Sequence, residues 1–284
     1  MKKIMLCLAV LAMTFTTNAQ IQTPQASPLA KVEQKVGLTD LTLEYSRPSM
    51  KGRKIFGDLV PYEKTWRTGA NNNTKLTVST PFFVDGKELK AGTYAIYTIP
   101  YEGKWQILFY TDSNNWGLPQ TWDDVKVAAT ATAAVYPLPM EIETLTMTFD
   151  DLSNDEVTLG ILWEKTYVGL KLKFPTHKMV MMNIESAMKD GENTSKDDLY
   201  AAAVYYAQNG EDINQAKNWI DQAMKGPDKP QFWKLRQQSL IYAQAGDKKG
   251  AIALAKQSLE AAEAAGNADY VKMNKDSLKE WGAK

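Results

Sequence analysis

The apolar residues of this 284-residue chain change rhythm once, near Phe174. Before that point they recur at every second position; beyond it they recur every three or four. Leu41, Leu43 and Tyr45 alternate with Thr42 and Glu44, and Trp105, Ile107 and Phe109 with Gln106 and Leu108. Val157, Leu159, Ile161 and Trp163 repeat the pattern, as do Val168, Leu170, Leu172 and Phe174. Successive strand side chains point to opposite faces, so these runs predict half-buried strands. About ten strands and no convincing helix are expected from Leu29 to Phe174, which predicts an antiparallel β-sandwich or flattened barrel. Val84-Asp85-Gly86-Lys87 supplies a hairpin turn, since Asp and Gly tolerate positive φ. A longer connection runs from Trp116 to Asp124.

The second half is all-α. Thr176 can cap a helix whose inner face is Val180, Met181, Ile184, Ala187 and Met188, ended by Asp190-Gly191-Glu192-Asn193. Its methionines suit adaptable packing better than metal ligation. Farther on, Tyr206-Ala207-Gln208-Asn209-Gly210 returns as Tyr242-Ala243-Gln244-Ala245-Gly246. Leu199 and Leu235 precede the two tyrosines at equal distances, and Ala216, Ile220 and Ala223 are answered by Ala251, Ala255 and Ser258. The spacing of about 36 residues and these residue types resemble the tetratricopeptide repeat, a helical hairpin of roughly 34 residues. Asn267 to Trp281 would cap two such copies. The resemblance implies a surface for a protein or peptide partner.

The N-terminus reads as an export signal. Lys2 and Lys3 precede an apolar run from Ile4 to Met13, and Thr17-Asn18-Ala19 suits cleavage before Gln20. The run is too short for a bilayer, which takes about 20 apolar residues. Cys7 follows Leu6, where lipoprotein processing wants a small residue. Cleavage removes Cys7, the sole cysteine, so disulfides and thiol catalysis are not expected of the mature chain. The expected divisions are a signal peptide at 1–19, a flexible linker at 20–28, the β-sandwich at 29–174, a helical connector at 175–194 and tetratricopeptide-like repeats at 195–284. The expected location is periplasmic or extracellular, with no membrane span.

Charge narrows the function. The chain balances 33 Lys and Arg against 33 Asp and Glu, so the phosphate neutralisation of a nucleic-acid binder is not expected. A single histidine, His177, argues against His-based metal sites, and no cofactor is expected. A Ser–His–Asp hydrolase would depend on His177, and no Gly-x-Ser-x-Gly elbow is present. Asp151, Ser153 and Asp155 begin like a calcium loop, but Glu156 stands where an EF-hand needs Gly and Leu162 where it needs Glu.

Basic residues cluster locally from Arg47 to Arg67, where Arg47, Lys51, Arg53, Lys54, Lys64 and Arg67 face only Asp58 and Glu63. A guanidinium offers planar donors suited to carboxylate or phosphate. Arg47, Arg53, Tyr62, Trp66, Arg67 and Asn71 are therefore the candidate site for an anionic or carbohydrate ligand. The competing reading has the arginines pinning loops and the asparagines stabilising turns. Trp105 is expected in the core, and Trp116 and Trp122 offer an exposed stacking surface.

The strings Tyr45-Ser46-Arg47-Pro48-Ser49, Trp66-Arg67-Thr68-Gly69-Ala70-Asn71, Ala91-Gly92-Thr93-Tyr94 and Trp163-Glu164-Lys165-Thr166 together resemble the domain-of-unknown-function family numbered 2911, from about Ser27 to Phe174. The resemblance implies an exported all-β bacterial module and no particular reaction. The reading that results is a non-catalytic binding or assembly module of the bacterial envelope. The alternative is a glycan-directed hydrolase drawing a carboxylate pair from Glu63, Asp123, Asp124 and Glu164.

Overall fold

A computed structural model describes residues 23–189, 191–226 and 231–283. The export signal expected at residues 1–19 lies outside the described residues. The chain divides into two compact units, one ending at Thr176 and one beginning at His177.

The first unit is all-β. Its strands are β1 (Leu29–Val36), β2 (Thr39–Ser46), β3 (Ala70–Val78), β4 (Phe82–Val84), β5 (Lys87–Leu89), β6 (Gly92–Pro100), β7 (Lys104–Tyr110), β8 (Val127–Asp150) and β9 (Glu156–Lys173). They pair antiparallel in the order β1-β2-β3-β6-β7-β8-β9-β4-β5. Nine strands form rather than the ten or so expected, because β8 runs unbroken for 24 residues. Its first part pairs with β7 and its last part with β9, with register shifts between Pro137 and Thr146. Pro137 and Pro139 have no N–H to give a ladder, so the strand bends there and passes from one layer of the sandwich to the other. A short 3-10 turn at Asp124–Lys126 is a helical element the alternation did not indicate. At the β4–β5 hairpin, Asp85 and Gly86 take φ of 50° and 78°, as the Asp-Gly turn requires.

The inward faces meet in one core that includes Leu43, Leu76, Ile96, Ile107, Leu159 and Ile161, all 0–1% exposed. Trp105 lies within it, 4.9 Å from Phe56 in an edge-on contact. The layers are also tied by polar contacts. The Tyr45 hydroxyl accepts the Met147 N–H at 2.8 Å and donates to the Met147 carbonyl at 3.3 Å. Beyond β2, Pro48–Met50 runs beside β8: the Met50 N–H donates to Glu143 O, and the Leu145 N–H to Pro48 O.

The outward face of β6 and β7 is buried as well. Tyr97, Leu108 and Tyr110 lie under the connection from Thr111 to Asp123, with Trp122 set 5.4 Å from Tyr97 and 4.7 Å from Tyr110. Burial pushes the Tyr97 hydroxyl up to about 12. Burial, followed by the negative charge of Asp150, does the same for Tyr167. A phenol whose pKa is raised in the fold contributes stability that is complete below the ordinary value near 10 and is lost as pH climbs toward the folded value. Alkaline titration followed by phenolate absorbance and circular dichroism is expected to show the strand signal weakening above about pH 10, with these two tyrosines ionising last. Ionisation of every tyrosine near pH 10 with the fold intact would contradict this burial.

The second unit is helical: α1 (Thr176–Met188), α2 (Lys196–Asn209), α3 (Ile213–Ala223), α4 (Phe232–Gln244), α5 (Lys248–Ala264) and α6 (Ala268–Glu280). Ser195, Asp212, Asp247 and Asn267 cap α2, α3, α5 and α6 by accepting backbone N–H bonds. Gly210 and Gly246 turn the chain at φ of 73° and 81°, the left-handed conformation glycine adopts without penalty. Consecutive helices pair across these turns, and Ala203, Ala216, Ala251 and Ala255 are wholly buried where backbones approach. Asp221 on α3 joins α4 by accepting from Gln238 and Tyr242. Among the described residues, no helix is long and apolar enough to cross a membrane.

Candidate ligand-binding site

The Trp66-Arg67-Thr68-Gly69-Ala70-Asn71 string enters β3 through an irregular backbone. Thr68 and Asn71 take φ of 55° and 56°, and Gly69 takes 157°. A β-branched residue in the left-handed region is a genuine outlier, costing about 1–3 kcal/mol. Thr68 is completely buried. It is held by its own hydroxyl on Thr98 Oγ1 at 3.1 Å and by the Thr74 hydroxyl on its carbonyl at 2.7 Å. Trp66 and Thr98 exchange backbone hydrogen bonds in both directions. A Cβ at Gly69 would come within 3.0 Å of Ser46 O, so only glycine fits. This string is a tightly determined kink, and the Arg67 guanidinium that follows Trp66 lies against Gly117, where an added Cβ would come within 2.9 Å of Nη1.

The six predicted residues separate by what their polar atoms meet. Arg47 donates to Leu145 O at 2.9 Å and to Thr146 Oγ1 at 2.8 Å, pinning β2's continuation to β8. Arg53 donates to Met50 O and Ser49 O, tying its own loop. Tyr62 lies against Gly57, where a Cβ would come within 2.8 Å of its ring. Burial raises the Tyr62 hydroxyl above its ordinary pKa, aided by the negative charges of Glu102 and Glu164. Trp66 stacks on Trp163 at 5.8 Å and donates from its indole to Gly69 O. Asn71 offers its amide N–H groups to Gln25 Oε1, Ser27 O and Ser46 Oγ. Among the described residues, Arg67 makes one guanidinium hydrogen bond, to Asn71 O at 2.9 Å.

Four of these residues, Arg53, Trp66, Arg67 and Asn71, line one cleft of about 540 Å³, together with Lys51 and Trp163. Arg47 and Tyr62 do not line it. Among the described residues, the lining carries three cations and no carboxylate. A second cleft of about 460 Å³ adjoins at Asn71 and is lined by Glu44, Asn72, Lys75, Gln25 and Trp116. The segment read as a flexible linker borders both: Ala26 and Ser27 face the first, Gln25 and Pro28 the second.

The two loop tryptophans take opposite roles. Trp122 is packed on tyrosines and donates to Asp124 Oδ1 at 2.8 Å, whereas Trp116 is 70% exposed. Sequence reasoning left out Trp163, whose alternating position marks it as core, and Gln25, whose surroundings read as linker. No residue-level signal distinguished either.

Three of the four carboxylates proposed for hydrolysis have other partners. Glu164 accepts the Phe56 N–H at 3.3 Å, Asp123 the Val125 N–H at 3.0 Å, and Asp124 the Trp122 indole. His177 contacts Tyr205 and Glu211 in the helical unit. Ser153, Asp155 and Glu156 form a hydrogen-bonded turn between β8 and β9, with Glu156 paired to Lys171 and Lys173. Among the described residues, no cluster of three or more potential metal-ligating side chains occurs.

A family model described as a protein of unknown function, DUF2911, matches residues 27–172. No curated protein and no solved structure matches the chain.

Proposed function

We propose, for a chain that belongs to the family of unknown function DUF2911, a binding role: the β unit captures a small anionic ligand in the cleft of Lys51, Arg53 and Arg67. The observation that carries this reading is the Arg67 guanidinium, which, among the described residues, spends one hydrogen bond on the protein in a cleft lined by no carboxylate. Its remaining donors match the planar, paired acceptors of a carboxylate or phosphate. Lys51 and Arg53 add positive charge, and Trp66, backed by the buried Trp163, supplies an apolar wall. Strain stored in the neighbouring Thr68 and Asn71 fits a site whose geometry is held for recognition.

Calorimetric titration of the mature chain with D-glucuronate, sulfate and inorganic phosphate tests this. At least one anion is expected to bind, and Arg67→Gln to weaken it by about tenfold or more while melting close to wild type, since a single part-buried hydrogen bond is at stake. Equal binding by Arg67→Gln, or no binding by wild type, rejects the reading. The hydrolase alternative asks for two carboxylates facing one bond. Among the described residues, the two clefts together are lined by one, Glu44, which favours capture over turnover.

The protein's wider role, in this proposal, is that of an exported, non-catalytic envelope component. The N-terminal signal pattern supports the location. The helical unit is read as tetratricopeptide-like, offering a surface to a protein or peptide partner. Support comes from the repeated Tyr-Ala-Gln-x-Gly strings, their left-handed glycines and the buried alanines between paired helices.

A further inference from the structure

We infer that the cleft beside Trp116 is a saccharide subsite continuous with the cationic cleft, so that the two together take an acidic oligosaccharide. The inference rests on the anion reading of Arg67 and extends it to a ligand class.

Trp116 is the first observation. The chain has eight tryptophans, and only Trp116, at 70%, and Trp233, at 39%, are exposed. Exposed loop aromatics are ordinarily free to move, but the backbone on both sides of Trp116 is fastened. The Asn115 N–H donates to Asn73 Oδ1 at 2.8 Å, Asn73 Nδ2 donates to Ser113 O at 3.0 Å, and the Asn73 N–H donates to Asn115 O. On the other side, the buried Tyr97 hydroxyl donates to Gly117 O at 3.0 Å. An apolar ring held in water on a fixed backbone loses little freedom when a ligand covers it, the arrangement that favours binding.

The surroundings set the ligand's chemistry. The lining of the cleft combines one exposed aromatic side chain, Trp116, the buried Tyr45, and the polar groups of Glu44, Asn72 and Lys75. A pyranose matches this layout, with one C–H face to lie on an indole and a girdle of hydroxyls for carboxylate and amide partners. The exposed Asn72 amide makes no side-chain hydrogen bond among the described residues, leaving both donors and its acceptor for a ligand. The clefts meet at Asn71, whose amide holds Gln25 and Ser27 on the ridge between them. A sugar chain lying across that ridge would place one ring on Trp116 and an acid group at Arg67.

Galacturonate and its trimer, with maltotriose and AMP as comparison ligands, test the inference by titration of the mature chain. The trimer is expected to bind at least about tenfold more tightly than the monomer and to change tryptophan fluorescence. Trp116→Ala is expected to abolish that gain, bringing trimer binding to the level of the monomer, and to preserve the melting temperature. A trimer advantage that survives Trp116→Ala overturns the subsite. So does AMP binding that depends on Trp116 and exceeds the trimer's, which would make the platform one for nucleobases, or absence of trimer binding by wild type. Failure of the underlying anion reading looks different: Arg67→Gln would then bind trimer and monomer as wild type does, whatever Trp116→Ala shows.

Discussion

Trp163→Ala is expected to lower the stability of the β unit by about 3–5 kcal/mol, the range for deleting a large aromatic from a packed core. The side chain is 1% exposed. It stacks on Trp66 at 5.8 Å with an interplanar angle of 17°, and meets Phe56 edge-on at 6.3 Å. Its indole N–H donates to Glu143 O at 3.2 Å, so alanine leaves both a void and a carbonyl without this partner. The void would open beside Trp66, which immediately precedes Arg67, and both tryptophans wall the cationic cleft. Loss of stability and loss of anion binding should therefore appear together. Urea unfolding followed through the strand signal measures the first, and a drop below about 1 kcal/mol would show that Trp163 is not a core anchor. Trp163→Phe keeps most of the packing and is expected to fall between the two.

Strand periodicity was legible because it follows from backbone geometry. The alternating apolar residues of β2, β7 and β9 that the sequence marks as inward are all buried. The passage of β8 between layers was not legible, since Pro137-Leu138-Pro139 reads as the end of a strand. It becomes a bend within one strand only when both partners, β7 and β9, are in place. The helical hairpins announced themselves through Gly210 and Gly246, where the turn needs a residue without a Cβ.

The candidate site was legible only as a neighbourhood. Arg47, Arg53 and Arg67 look alike in sequence, yet the first two spend their donors on carbonyl oxygens of β8 and their own loop, together with one threonine hydroxyl. Backbone carbonyls carry no residue signature, so nothing in the string says which arginine they will engage. The same holds for Trp116 and Trp122. They belong to one loop, and what separates them is a pair of tyrosines, Tyr97 and Tyr110, on the outward face of strands whose pattern suggested that face was solvated.

The consecutive Asn71, Asn72 and Asn73 show how far three identical residues can diverge, and they lead to the second large effect. Asn71 sits at the irregularity where Ser46 pairs with Ala70 and turns its amide toward the Gln25–Ser27 segment. Asn72 points outward into the second cleft. Asn73, 2% exposed, points under the loop that carries Trp116 and satisfies both Ser113 O and the Asn115 N–H. Asn73→Ala removes both bonds at a buried position, and leaving such groups unpaired costs about 1–3 kcal/mol. A stability loss of about 2–3 kcal/mol is expected, with faster hydrogen exchange at Asn115. Because the Arg67 guanidinium is hydrogen-bonded to Asn71 O and meets the loop only by lying against Gly117, the variant should still bind the galacturonate monomer while losing the advantage of the trimer. That split separates this variant from general unfolding, which would abolish both. If exchange at Asn115 stays as slow as in wild type, the loop does not depend on Asn73, and the fixed platform beneath the saccharide inference is removed.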